Sequence, residues 1–298
     1  MQNKKNVAVT GLSGVVGKVF ARLYGDEYNL IDLYHNKKTL SSPQIKKHYK
    51  LDLLNTNRIQ KILEKVNPDV VVHMASITHI DKCETDRKNG EKGNVWKINV
   101  EATRQIVSFC SKKKIPFVFL STECVFDGKK KKFNESSKKN PRNWYGVTKS
   151  AAEDIIIASK AKAAIIRSVV TYHKADHGKT IYGKVLRSLK NKGIVYAVGD
   201  QFFTPTYTED IVKGVRVVID GKLTGIFHVV PAKTITPYKF SILIAKSNNF
   251  PSRMVKKTSL VSLYGKDRAN LRLVNASLSA SKSRKILNFI PKAPGEVI

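Results

Sequence analysis

The stretch TGLSGVVG, residues 10 to 17, lies between a short β-rich run, NVAVT, and a segment with helical apolar spacing, VVGKVFARLY. Its glycines, Gly11, Gly14 and Gly17, recur at every third residue. Glycine in that place lets the backbone turn tightly, approach a pyrophosphate, and pack helix against strand, while the helix N-terminus offers free N–H groups to an anion. The spacing predicts a dinucleotide-binding turn and obliges the chain to open as strand, helix, strand. YNLIDLY has the pattern of that second strand.

The alternation continues. DVVVHMA (69 to 75), IPFVFLS (115 to 121) and AKAAIIRSVV (161 to 170) are near-continuous apolar runs of strand length, as parallel strands covered on both faces require. Helical spacing separates them at about 55 to 66, 96 to 113 and 145 to 160. This order predicts an α/β fold, a Rossmann-type doubly wound parallel sheet. Beyond residue 170 the pattern loses regularity and predicts a smaller, mixed C-terminal lobe. The expected division is 1–170 for the dinucleotide-binding domain and 171–298 for the lobe, with segments of the lobe returning to the sheet.

A formal net charge of +31 raises the question of nucleic acid, since clustered cations gain affinity from counterion release. Distribution argues against it. The lysine runs at 129 to 132, 112 to 114 and 256 to 257 carry no interleaved aromatic residues, and no helix-turn-helix, zinc-finger or RNP pattern is present. A lysine-rich solvated surface with no specific nucleic-acid site is expected, its field favouring anionic ligands. No apolar run approaches the roughly 20 residues that span a bilayer, and MQNKK runs directly into a strand rather than a signal peptide's apolar region. The expectation is a cytoplasmic protein without a membrane anchor. Cys83, Cys110 and Cys124 are odd in number and widely spaced, unlike a disulfide framework. His79, Asp81, Cys83 and Glu84 fit no tight ligand spacing, so no metal is expected.

The end of the second strand decides the dinucleotide, because an acid there binds a ribose 2′-hydroxyl and a base accommodates a 2′-phosphate. In NLIDLYHNKK a strand ending near His35 offers His35, Asn36, Lys37 and Lys38, which suits NADP(H). With Asp32 at the tip, NAD(H) is the alternative. Asp52 follows the third strand and either touches the adenine or closes a strand-end turn.

In NWYGVTKSAAED, residues 143 to 154, Tyr145 and Lys149 are four apart and share one helix face. A phenol with an ordinary pKa of about 10 is a poor proton donor at neutral pH, and a nearby ammonium favours its phenolate. The two residue types make an acid and its tuner. Tyr-x-x-x-Lys alone is common, but FLSTECVFDG places Ser121, Thr122 and Glu123 just past an apolar strand, at the carboxyl edge where such sheets bind ligands. His73, after a buried run, reads equally as a satisfied core histidine or a cofactor contact. Trp96, Ile106 and Phe109 read as a buried or dimer-forming helix face.

Together, TGLSGVVG, VVHMAS, INVEATRQIV, STECVFDG and YGVTK resemble the extended short-chain dehydrogenase/reductases. With GDQFFTPTYTEDI (199 to 211) and GIFHVV (225 to 230), the chain is similar to their dTDP-4-dehydrorhamnose reductase branch, closely over residues 5 to about 230. The resemblance implies Thr122, Tyr145 and Lys149 as catalytic residues. It implies a cofactor site of Gly11, Ser13, Gly14, Val15, Val16, Gly17, His35, Asn36, Lys37, Asp52, Leu53, His73, Ala75, Ser76, Asn99, Tyr145 and Lys149. Thr78, Glu123, Cys124, Arg167, Gln201 and Thr206 would meet the substrate, with 201 to 206 closing over the sugar and the C-terminal lobe as the substrate-binding one. The implied reaction reduces a ketone on a nucleotide-linked 4-keto-6-deoxy sugar, with hydride from the nicotinamide and a proton from Tyr145, in a homodimer.

The chain departs from the branch pattern in two places. Glu123-Cys124 replaces Asp-Tyr, and RSVVTY has Val169 and Val170 where an aromatic residue is usual, so two sugar-stacking rings are missing and the identity of the sugar is open. The related sugar-nucleotide dehydratases carry Asp-Glu after the threonine. Cys124 argues against dehydration, because a thiol with a pKa of about 8.5 is a weak substitute for a carboxylate base. A nucleotide-sugar epimerase, or a bifunctional epimerase/reductase, is the first alternative. A non-catalytic NADP-binding regulatory subunit, like that of methionine adenosyltransferase, is the second.

Overall fold

The computed structural model describes residues 4–36, 45–175 and 178–298. The chain begins β1 (Asn6–Thr10), α1 (Val15–Tyr24), β2 (Asn29–Tyr34), β3 (Ile45–Lys50), α2 (Thr56–Val66) and β4 (Val70–His73). A helical tract follows: α3 (Ile80–Asp86), α4 (Asn94–Trp96), a π-helical turn at Lys97–Glu101 and α5 (Ala102–Lys113). Next come β5 (Phe117–Thr122), α6 (Trp144–Ala158), β6 (Ala163–Ser168), β7 (Thr171–Tyr172), α7 (Ile181–Lys192), β8 (Val195–Val198), β9 (Phe202–Phe203) and β10 (Thr206–Tyr207). The last part contains α8 (Thr208–Asp220), β11 (Gly225–His228), α9 (Pro237–Ser247), β12 (Val255–Thr258), α10 (Leu260–Tyr264), α11 (Lys266–Asn270), β13 (Asn275–Ala276), α12 (Ser281–Leu287) and α13 (Pro294–Val297).

Seven strands form one sheet in the order β11-β6-β5-β4-β1-β2-β3. The pairs β1–β2, β2–β3, β1–β4 and β4–β5 are parallel. The order reverses between β1 and β4, so the crevice at their carboxyl ends is the place where a doubly wound sheet takes a ligand. The strands expected around residues 69 to 75 and 161 to 170 are present but shorter. Residues 80 to 86, which lack a clear apolar stripe, form α3, with the His79 side chain accepting from Lys82 N at its start.

The chain divides into two compact units: Met1–Ser121, Asn143–Ile166 and Val212–Ile226 in the first, Thr122–Arg142, Arg167–Ile211 and Phe227–Ile298 in the second. The first unit buries Ile59 and Leu63 of α2, Ile106, Phe109 and Cys110 of α5, and Ala152 and Ile156 of α6 against Ala8, Val71, Phe117, Phe119 and Ile165 of the sheet. Phe109 and Ile106, read as a buried or dimer-forming face, belong to this core. The second unit contains the two-stranded parallel pairs β7–β10, β8–β12 and β9–β13. Its interior includes Tyr172 packed edge-on to Phe240 with ring centroids 5.0 Å apart.

Gly17 is buried in the first turns of α1, and a Cβ added there would lie 2.5 Å from Gly11 O and Leu12 Cα. Gly17→Ala is therefore expected to reduce the unfolding free energy by about 1–3 kcal/mol, read as a lower urea midpoint at constant m. An unchanged midpoint would mean that helix and turn separate freely.

Candidate functional site

At the β1–α1 turn, Gly11 has φ 77°, and a Cβ on it would meet Ala75 N at 2.7 Å. The turn thus presses directly against the chain leaving β4. α1 starts at Gly14 with no side-chain cap and no acid in its first turn, which leaves N–H groups and the positive end of the helix to an anion. Beside it lies a groove of about 470 Å³ lined by Gly11, Ser13, Gly14, His35, Asn36, Leu53, Ala75 and Ser76, with Leu12, Asp32, Leu33, Tyr34, Leu51 and Met74. The uncapped helix end and the tight glycine turn fit a dinucleotide's pyrophosphate.

Not every predicted cofactor residue lines that groove. Val15, Val16 and Gly17 belong to α1, and Gly17 acts by packing. Lys37 lies outside the described residues. Asp52 closes the strand-end turn, its Oδ1 accepting from Leu54 N at 2.9 Å, and stands 3.6 Å from His35 Nε2. Asp32 is buried inside β2, with His48 Nδ1 3.1 Å from its Oδ2. β2 ends at Tyr34, so His35 and Asn36 form its tip.

Of the two readings of His73, its surroundings favour the satisfied core histidine, because the ring is buried and both ring nitrogens are engaged. Thr103 donates to Asn99 O at 2.8 Å. Its oxygen, 3.2 Å from His73 Nε2, therefore accepts from the ring, and Nδ1 accepts from the Thr10 hydroxyl at 2.6 Å. Thr10 Oγ1 in turn accepts from Ala75 N at 3.2 Å. Burial, then the nearby Lys149 charge, push the imidazole down to about 3. Asn99 continues the chain on the other side: its Oδ1 accepts from Ser76 Oγ and Ile77 N, each at 2.9 Å. Its Nδ2 donates to Thr148 Oγ1 at 3.1 Å, and Thr148 donates to Tyr145 O at 2.8 Å. One line of hydrogen bonds thus ties β1, β4, the π-helical turn and the start of α6. Thr10, Thr103 and Thr148 were missed by sequence reasoning; a hydroxyl on an inward face was their only signal.

α6 begins where the Asn143 side chain accepts from Gly146 N at 2.8 Å. Tyr145, in its first turn, is half-buried. Lys149 is 2% exposed. Its Nζ donates to Leu120 O at 2.7 Å and sits 3.7 Å from the centre of the Phe119 ring. Burial draws its pKa down to about 7, opposed by the charge of Glu153. Glu153 has no exposed surface and accepts from Ser121 Oγ at 2.6 Å. It too was missed, although Lys-x-x-x-Glu continues the spacing of Tyr-x-x-x-Lys.

In the second unit, Thr122 Oγ1 donates to Glu123 Oε2 at 2.7 Å and accepts from Cys124 N at 3.2 Å. Glu123 is buried, and burial pushes its carboxyl up to about 7 against the bonds from Thr122 and Cys124. Arg167 and Thr206, predicted to meet substrate, are both buried. Arg167 Nη1 donates to His228 Nε2 at 3.3 Å and Glu135 O at 3.4 Å. Thr206 Oγ1 accepts from Val169 N at 3.2 Å. Gln201 Nε2 donates to Leu273 O at 2.7 Å. Thr78, in the first unit, is exposed.

Among the described residues no three His, Cys, Asp or Glu side chains group to hold a metal ion, and no helix is long and apolar enough to cross a membrane. Burial raises the Cys83 thiol to about 12 and Cys110 further, so neither is poised as a thiolate.

Residues 5–293 match the family model described as the RmlD substrate binding domain. A dTDP-4-dehydrorhamnose reductase of Aggregatibacter actinomycetemcomitans is 26% identical, over 79% of this chain and 76% of its own. Methionine adenosyltransferase 2 subunit beta of Danio rerio is 26% identical, over 83% of this chain and 75% of its own. The crystal structure of dTDP-4-dehydrorhamnose reductase from Bacillus anthracis str. Ames in complex with NADP superimposes with a TM-score of 0.84 at 24% identity, covering 99% of this chain and 97% of that one.

Because His73 stays neutral when folded and takes a proton near its ordinary value when unfolded, its depressed pKa stabilises the native state above about pH 6.5. That contribution is lost as pH falls from about 6.5 toward about 3. His73→Gln removes the titration. Relative to wild type, the variant is expected to gain on the order of 2–3 kcal/mol between pH 7.5 and 4.5 in urea unfolding; a pH-independent difference would contradict the buried neutral ring.

Proposed function

Because this chain belongs to the RmlD substrate binding domain family, we propose that it is an NADPH-dependent reductase of a dTDP- or UDP-linked 4-keto-6-deoxy sugar, acting in deoxysugar biosynthesis. The observation that carries the reading is the buried Lys149 ammonium, one helical turn from Tyr145 and held on β5 two residues before Thr122. An ammonium in a dry setting favours release of a proton from a neighbouring phenol, so Tyr145 serves as the general acid that protonates the ketone oxygen. Thr122 orients that oxygen by its hydroxyl. When bound, the dihydronicotinamide supplies the hydride.

The first unit binds the cofactor and the second the sugar nucleotide, through Glu123, Cys124 and Gln201; Thr78, which belongs to the first unit, is a further contact. Arg167 and Thr206 shape the second unit from within. The cofactor preference for NADP(H) over NAD(H) is supported by the strand tip. His35 and Asn36 stand there, while Asp32 faces His48 and Asp52 closes its own turn. A homodimer is the assembly that the family resemblance implies, and we adopt it, with a cytoplasmic location, as part of this proposal. Cys124 in place of a carboxylate disfavours dehydration.

The similarity to a methionine adenosyltransferase subunit favours a second reading, a regulatory protein that holds NADP without turning over a sugar. The two separate in one assay. The reductase is expected to consume one NADPH per ketosugar reduced, followed at the nicotinamide absorbance with dTDP- and UDP-linked substrates; no turnover on any of them favours the regulatory reading, and product without NADPH loss an epimerase. Tyr145→Phe is expected to lower kcat by about 10²–10⁴-fold while NADPH still binds, and undiminished activity would remove the phenol from the mechanism.

A further inference from the structure

Glu153 has no place in the chemistry assigned so far, yet it is a fully buried acid on the same helix face as Tyr145 and Lys149. Three consecutive residues of β5 grip the two charged side chains. The Phe119 ring and Leu120 carbonyl take the Lys149 ammonium, and the Ser121 hydroxyl takes the Glu153 carboxylate. Phe119 and Ser121, two apart on a strand, face the same side. A carboxylate so enclosed is a liability unless it is balanced by an opposite charge, and Lys149 stands four residues away.

We propose that Glu153 is a positioning residue that acts through Lys149: its buried negative charge, anchored by Ser121, keeps the lysine an ammonium and holds it on β5. Other groups facing Lys149 leave this role to Glu153. Toward β4 stands His73, neutral and bound on both nitrogens by threonines. β5 contributes a ring and a carbonyl without formal charge, and on α6 itself the phenol of Tyr145 lies one turn before. Burial alone draws the lysine toward its neutral form, and Glu153 opposes that shift. Without it, the ammonium is lost at a lower pH.

The test uses Glu153→Gln, which keeps an acceptor for Ser121 and deletes the charge. In cofactor-free protein with ¹³C-labelled lysine, the Lys149 resonance, identified by its loss in Lys149→Met, is expected to titrate about one pH unit or more lower in Glu153→Gln than in wild type. The alkaline limb of kcat/KM for ketosugar reduction is expected to move the same way. An unmoved lysine midpoint overturns the proposal. The kinetic arm rests on the reductase reading and the NMR arm does not: a moved midpoint in a protein inert toward every ketosugar would sink that reading and leave this inference standing. If Glu153→Gln does not fold, recovery of a folded Lys149→Met, Glu153→Gln double variant shows that the pair is coupled, and failure of the double variant overturns the coupling.

Discussion

A positive charge sealed between α6 and β5 sets the terms for the first unit. Burying an ammonium costs several kcal/mol even after the surroundings relax, and Lys149 is sealed almost completely. What offsets that cost is specific: a main-chain carbonyl, the face of Phe119 and the acid of Glu153. The carbonyl and the ring are available only if α6 lies with one face on β5, and Ser121 of the same strand anchors Glu153 there. Charge and packing therefore require each other, and the reward is a cation whose field is little screened by water and acts strongly on the phenol one turn away.

The hydrogen-bond line from Ala75 through Thr10, His73, Thr103, Asn99 and Thr148 to the Tyr145 carbonyl gives the same region a fixed geometry. Its five side chains, Thr10, His73, Thr103, Asn99 and Thr148, are buried, and leaving one unpaired would cost about 1–3 kcal/mol. The π-helical turn at Lys97–Glu101 brings Asn99 into that line, in keeping with the frequency of such turns at functional sites. The same line begins at the residue against which Gly11 presses, so the groove beside the glycine turn and the start of α6 are joined by one set of polar bonds rather than by apolar packing alone.

Much of this was legible in the chain. β1, β4, β5 and β6 announce themselves because strands covered on both faces must be apolar throughout, and a helix puts Tyr145 and Lys149 together by spacing alone. The strand tip at His35 was legible from the alternation in NLIDLY. What could not be read are partnerships between distant residues. Thr10 meets His73 across 63 positions and Glu153 meets Ser121 across 32, and each looks like an ordinary polar residue until its neighbours are known to be buried. His73 was open between core and contact for the same reason. Arg167 was expected to meet the substrate, and its bonds to His228 and the Glu135 carbonyl, 61 and 32 positions away, leave no mark in the sequence. Two-residue strands such as β9 and β13 are too short to leave a period in the sequence.

In the proposed reaction a hydride passes from cofactor to sugar carbon while Tyr145 gives up a proton. The most direct measurement is the fate of deuterium carried on the nicotinamide C4 of NADPH during turnover of a 4-keto-6-deoxy sugar nucleotide. The label is expected at the former ketone carbon of the product, in step with cofactor oxidised. A product free of deuterium, formed while the cofactor stays reduced, would contradict it.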